Sequence, residues 1–557
     1  MMKNNRIYLN VFLITLAGLF IRLFDLDKAG GLWNDEYISW FISNRPLCGD
    51  FFEQMFKNCH MPLYYFYLKF WTSIFGNSDY LLRVSSVITG ALSIPAMFFV
   101  GKQLNNEKTG LLCSALTAFS GFLIYFSQEV RFYSLLFLIS ALLLLFSLKL
   151  IENQSKINYF MFFALSTLVM LTHTIGFVFV ILNCIGLFWY LKKHDKFSLK
   201  TVMPFFIGVF IVMSIFLPFM FKTLTASYIS QFWSDFSLTK LFFVLSDYFS
   251  PVQINIINTP ASLMALLFKK SGFNFGYFIF GLIPIFISFV AIGFAIKQKN
   301  EKINIFSIVA AAALFVMVLA AISGKMVLIT KYTMEIYPIV IAVTAFGLMS
   351  IRPHSMQKFL TTALLWLICF FLLFSNFAPQ KLQRSEGHKF VADLIEKANL
   401  GKNDRILLLY YDTNRFGKYI PLEKYNIEFM SKYNFQYMLL HNPPLHTEVI
   451  KNGKKTFLSV FASGEDSFFS EVLNTRYFSH LKKGDKFALI TLNSVSFIDE
   501  EKMKKTVADE KLYKRMPFIF LIFSHVSNVA QKEAAAVLKP VFNDKAGNWE
   551  IYVFEKQ

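Results

Sequence analysis

Eleven apolar runs, each near the twenty residues that a helix needs to cross a bilayer, mark the first two thirds of the chain. They lie roughly at 7–24, 80–102, 109–126, 131–150, 158–173, 175–191, 201–221, 275–297, 303–322, 333–350 and 358–377. Alternate turns between them read KQLNNEK, KLIENQSK, KKHDKFSLK, KQKNEK and RPHSMQK. These are short and mostly basic, as cytoplasmic loops are. No small-residue cleavage site follows the first run, where Arg22 and Asp25 come instead, so it is expected to stay as a membrane helix with its N-terminus in the cytoplasm. Eleven crossings then put the C-terminus outside.

The intervening turns differ. The first outer loop, 25–79, is long and contains MPLYYFYLKFWTSIF, Met61 to Phe75, which suits a helix lying in the interface. The others are SQEVR (Ser127 to Arg131), THT (Thr172 to Thr174), a long loop 222–274 with FWSDF, and SGKMVLITKY (Ser323 to Tyr332). From about Pro379 the pattern changes: HKFVADLIEKANL has helical spacing, DRILLLYYD, DKFALITLN, FIFLIFSH and NWEIYVFEK read as strands, and QKEAAAVLKPVF reads as a helix ending at a proline. The expected fold class is a polytopic α-helical membrane protein of about 11 transmembrane helices, residues 1–378, followed by an extracytoplasmic α/β domain, residues 379–557.

Composition agrees with the pattern. Of 557 residues, 55% are hydrophobic, 18% aromatic and only 16% charged, too apolar for a soluble protein of this size. The net charge of +19 is explained by basic cytoplasmic turns and a mixed-charge tail near anionic lipid, and does not imply nucleic acid. Cys113, Cys184 and Cys369 lie in apolar runs. Cys48 and Cys59 flank a short polar segment and are either bridged, in an oxidising compartment, or free.

The candidate chemistry sits in the outer turns. Asp35 and Glu36, in GGLWNDEYISW, are adjacent carboxylates near a membrane boundary, where unpaired acids are costly. A carboxylate there can serve as a general base. Neighbours on a helix point about 100° apart, so the two cannot do one job. Asn34-Asp35-Glu36 also reads as a helix start, with acids at the positive end of the helix dipole. Arg131, Lys325 and Lys331 are cations at span mouths. An arginine fork suits a phosphate, although Arg131 could instead pair with Glu129 or Asp35, and the lysines could be snorkelling. Gln128, Glu129 and Tyr332 stand beside these cations. His60 and His173 could hydrogen-bond a phosphate or a sugar hydroxyl; no spacing supports either as a metal ligand with Asp35.

In order, these elements are Asp35-Glu36, His60-Met61-Pro62-Leu63-Tyr64-Tyr65, Arg83, Ser127-Gln128-Glu129-Val130-Arg131-Phe132-Tyr133, and Lys331-Tyr332 with Pro338. The series resembles the GT-C membrane glycosyltransferases of the glycosyltransferase family 39 type, relatives of protein O-mannosyltransferases and of the lipid A aminoarabinose transferase. The resemblance implies an inverting, metal-independent transfer from a polyprenyl-phosphate sugar to a hydroxyl of a lipid, glycan or protein, with no cofactor. It implies Asp35 as the base, and donor-phosphate contacts from the outer-mouth cations and Tyr332. It places the chain in a bacterial inner membrane. Two departures stand out: Met61 occupies the first proline position of the Pro-Pro pair, and Lys331 occupies an arginine position, keeping charge without the fork. A lipid-linked glycan ligase and a lipid-linked sugar transporter are the competing readings. The transporter favours symmetric, broken helices with midplane polar residues.

Overall fold

The computed structural model describes residues 2–26, 31–57, 61–225, 241, 244, 248, 274–323, 328–377, 388–409, 418–420, 424–430, 478–492, 530–546 and 549–557. The chain forms two compact units. One comprises Met1–Asp27 and Ile38–Leu382, the other Lys28–Tyr37 and Gln383–Gln557.

The first unit is helical. Its elements are α1 (Met2–Leu23), the greater part of α2 (Asn34–Ser43), α3 (Gly49–Lys57), α4 (Leu63–Phe75), α5 (Asp79–Leu104), α6 (Glu107–Phe119), α7 (Gly121–Ser127), α8 (Tyr133–Glu152), α9 (Lys156–Thr172), α10 (Gly176–Lys193), α11 (Leu199–Thr225), α12 (Asn274–Lys297), α13 (Glu301–Ile322), α14 (Tyr337–Ser350) and α15 (His354–Phe377). All eleven expected apolar runs are helical. Among the described residues, six helices are long and apolar enough to span a membrane, or seven if α6 and α7 count as one bent span. The chain is therefore a multi-pass membrane protein. The FWSDF segment and Cys59 lie outside the described residues, while Cys48 is exposed as a free thiol.

The run at 109–126 does not form one straight helix: α6 and α7 meet at 57°. Ser120 makes the break. Its hydroxyl accepts from the Leu123 amide at 3.3 Å, capping α7, and hydrogen-bonds Tyr337 Oη at 3.1 Å. A break inside an apolar bundle strands the last carbonyls of α6, which must find donors within the protein. Arg22, fully buried in α1, supplies them. Its Nη1 donates to Ala118 O (2.9 Å) and Gly18 O (2.9 Å), its Nη2 to Thr117 O (3.0 Å) and its Nε to Ser127 Oγ (3.2 Å). One guanidinium thus joins α1, α6 and α7.

Four of the five basic turns gather at one end. Lys302 pairs with Glu152 at 2.8 Å, Lys193 and His194 pair with Glu301 at 2.7 and 2.8 Å, and Gln103 bonds Glu152. These partly exposed pairs add little stability but fix which loops are neighbours. Helix α8 has 20 residues, about 30 Å at 1.5 Å per residue, so Tyr133 and the Ser127–Arg131 turn lie at the opposite end from Glu152.

In the second unit, a five-stranded sheet has the order β2-β1-β3-β5-β4, with β1 (Arg405–Leu409), β2 (Asn426–Met430), β3 (Lys486–Leu492), β4 (Lys539–Ala546) and β5 (Trp549–Glu555). β1 runs parallel to β2 and β3, whereas β3–β5 and β4–β5 are antiparallel. Helix α16 (His388–Lys397) lays Val391, Leu394 and Ile395 on Ile406, Leu408, Ile490 and Val553. Two expectations change. The helix in QKEAAAVLKPVF covers 530–537, and Pro540 belongs to strand β4. A proline cannot extend the helix, but it is tolerated on an edge strand beside a bulge, and the pairing register shifts between Pro540 and Phe542. β2, in NIEFM, has no counterpart among the expected strands. FIFLIFSH lies outside the described residues.

Candidate functional site

In the helical unit, the end opposite the ion-paired loops carries a compact polar and aromatic cluster. The turn between α7 and α8 is tight, with the Arg131 amide donating to Glu129 O at 2.8 Å, and both side chains are buried. Arg131 Nη1 donates to Ser39 Oγ of α2 at 3.4 Å, and its guanidinium lies 5.4 Å from the Phe132 ring centroid. Phe132 stacks on His173 at 5.0 Å, and His173 faces Tyr332 at 5.5 Å. Lys331 Nζ lies 5.5 Å from the Tyr332 ring and 5.8 Å from the Tyr133 ring. The cluster therefore unites Arg131, His173, Lys331 and Tyr332, drawn from three separate turns.

Glu335 completes it, and sequence reasoning missed it. Its Oε1 meets His173 Nδ1 at 2.7 Å, and the carboxylate is 1% exposed. Among the described residues its other oxygen has no hydrogen-bond partner. The signal was present: Glu335 is the only Asp or Glu between Glu301 and Glu386, and an acid at the mouth of an apolar run demands a partner. Holding Nδ1 leaves only Nε2 of His173 to meet a ligand.

Gln128 and Arg83 are placed differently. Gln128 Nε2 donates to Arg22 O and Phe24 O, each at 3.0 Å, and so caps the last carbonyls of α1. Arg83, fully buried in α5, donates to Leu26 O at 3.4 Å. Both fasten the chain where it leaves α1 through Asp25, whose φ of 52° ends the helix in the left-handed region. His60 and Lys325 lie outside the described residues. In the aromatic helix α4, the Tyr67 hydroxyl donates to Ser85 O at 2.8 Å. Burial pushes the Tyr67 phenol up to about 12 and the Tyr64 phenol well above its usual value, so both are neutral hydroxyls at pH 7.

In the second unit, Asp35 and Glu36 occupy the first turn of α2. The Trp33 amide donates to Glu36 Oε2 at 3.2 Å, the arm of a capping box that reaches back from the third helical position. Glu36 is fully buried and Asp35 is partly exposed. The two acids thus differ in burial, and the helix-start reading holds for both.

Residues 59–221 match the family model described as Dolichyl-phosphate-mannose-protein mannosyltransferase. No curated protein sequence matches the chain. Among solved structures, ArnT from Cupriavidus metallidurans in the apo state is 11% identical, with 99% of this chain and 98% of that chain covered and a TM-score of 0.52. The same ArnT bound to undecaprenyl phosphate is 11% identical, covering 97% of each chain, with a TM-score of 0.49. The apo oligosaccharyltransferase of Archaeoglobus fulgidus is 11% identical, covering 92% of this chain and 72% of that one, with a TM-score of 0.48. At such identity the first of these establishes the fold. With a segment that matches the mannosyltransferase family model and a fold like that of ArnT, the chain is similar to the GT-C membrane glycosyltransferases of the family 39 type that its motifs resemble.

Proposed function

We propose that the chain transfers a sugar from a polyprenyl-phosphate donor to a hydroxyl of a lipid, glycan or protein acceptor, inverting the anomeric carbon. The observation that carries this reading is the convergence of Arg131, Lys331, Tyr332 and the His173–Glu335 pair at one end of the helical unit. Two cations, a phenol and an oriented imidazole suit a phosphate that gains charge as its sugar departs. The ArnT solved with undecaprenyl phosphate offers a lipid of the same chemistry.

Asp35 takes the proton of the acceptor hydroxyl. The new bond forms from that oxygen to the anomeric carbon as the bond from carbon to phosphate oxygen breaks on the opposite side. The electron pair stays with the polyprenyl phosphate. Glu36 shapes the turn that presents Asp35. The reaction needs no metal or other cofactor. In this reading the eleven apolar helices all cross a bacterial inner membrane, the basic turns are cytoplasmic, and both the polar cluster and the α/β unit face outward. Residues 1–378 form the catalytic domain and 379–557 the extracytoplasmic one.

Undecaprenyl phosphate is a direct probe. Arg131→Gln is expected to weaken its binding to the purified protein by at least roughly tenfold, since removing one partner of a buried charged contact costs about 2–5 kcal/mol. Lys331→Gln, on a more exposed and less directional cation, is expected to cost less. Unchanged affinity in both variants would remove the phosphate site from this cluster.

A further inference from the structure

The loop that delivers the acidic pair is gripped by the α/β unit. Residues Lys28–Tyr37 group with Gln383–Gln557, although in sequence they join two membrane-unit helices. The grip is specific. Leu32, fully buried, donates its amide hydrogen to Tyr419 Oη at 2.7 Å. Beside it, Gly31 adopts φ of 85°, and a Cβ there would stand 2.7 Å from Tyr419 Oη, 2.8 Å from its Cζ and 3.3 Å from Lys389 Cβ. Gly31 is thus needed twice, for its backbone angle and for the close approach of the tyrosine. Tyr419 in turn packs against the core formed by Val391, Leu394, Ile406, Leu408, Ile420 and their neighbours. One residue further along, Trp33 donates its amide to Glu36. An unbroken line therefore runs from a packed sheet core through Tyr419, Leu32 and Trp33 to the first turn of α2, where Asp35 sits.

We propose that Tyr419 is a positioning residue for the transfer, fixing Asp35 through the Gly31–Trp33 turn. The α/β unit then supplies the rigid support of the base. This inference rests on the reading of Asp35 as that base. A loop with one glycine at positive φ has little rigidity of its own, and a displacement of about 1 Å at a reacting group costs on the order of a hundredfold in rate. A hydrogen bond anchored on a packed core is a direct means of preventing it.

The test uses the full chain in lipid nanodiscs, with Tyr419→Phe and Gly31→Ala beside Asp35→Asn. Hydrogen exchange read by mass spectrometry reports the turn without reference to activity. In Tyr419→Phe, exchange of the 31–36 amides is expected to rise roughly threefold to tenfold, matching the loss of one hydrogen bond. Turnover of the polyprenyl-phosphate sugar that accumulates in cells lacking the protein is expected to fall roughly tenfold to a hundredfold. The fall is expected in kcat, with binding of undecaprenyl phosphate unchanged. Gly31→Ala should reproduce both effects, because its methyl pushes the turn off an intact tyrosine. Unaltered exchange in Tyr419→Phe, or faster exchange with full turnover, overturns the proposal. Full turnover in Asp35→Asn instead overturns the assignment of the base, and the anchoring of the turn is then decided by exchange alone.

Discussion

Asp35→Asn is expected to lower sugar transfer by roughly a hundredfold to ten-thousandfold, the range a positioned general base contributes. The substitution keeps shape and most hydrogen bonding while removing the basic oxygen. It should leave the fold intact. Asn is as acceptable as Asp at a helix start, and the lost attraction between carboxylate and helix dipole amounts to about 0.3–1 kcal/mol. Binding of undecaprenyl phosphate should change little, because the phosphate contacts are assigned to Arg131, Lys331, Tyr332 and His173. Glu36→Gln is the control on the neighbouring acid. A glutamine carbonyl still accepts from the Trp33 amide, so this variant should keep most of the turnover that Asp35→Asn loses. Equal losses in both would mean that the pair acts as a unit, and full turnover in Asp35→Asn would exclude it as the base.

Arg22→Met is expected to cost about 2–5 kcal/mol of stability, read as a fall of several degrees or more in the unfolding temperature of the detergent-solubilised protein. Met fills similar space but leaves Thr117 O and Ala118 O without their donor at the 57° break. An unsatisfied buried acceptor costs about 1–3 kcal/mol, and two are involved. Loss of the buried charge's desolvation offsets part of this, which keeps the estimate from being larger. Arg22→Lys should recover only a fraction, because one ammonium cannot reach three elements in a planar fork. An unfolding temperature for Arg22→Met equal to the parent would show that the break is held by other means.

These two residues show what can and cannot be read from sequence. Every apolar run was legible as a helix because length and apolarity alone separate such a run from a loop. The strands β1, β3 and β5 were legible as buried apolar runs. The bend at Ser120 was not: its run reads as one continuous span, and the donor that makes the break tolerable lies about a hundred residues away in α1. Arg22 itself read only as the end of the first run. The polar cluster was legible as residue types in alternate turns, and His173 stacked between Phe132 and Tyr332 unites three of them. Its wiring was not. Gln128 and Arg83 have the chemistry of ligand contacts, yet both bond carbonyls at the exit of α1, a role invisible without the fold. Tyr419 is further removed still, a residue of the α/β unit whose meaning depends on a glycine 388 positions earlier.

Transfer from a polyprenyl-phosphate sugar is tested most directly by mass spectrometry of lipids and envelope glycans from cells with the protein, without it, and with Asp35→Asn in its place. The expected result is one polyprenyl-phosphate sugar accumulating in the cells without the protein and equally in those with Asp35→Asn, with that sugar missing from one acceptor. Unchanged pools of both donor and acceptor in cells lacking the protein would contradict the transferase reading.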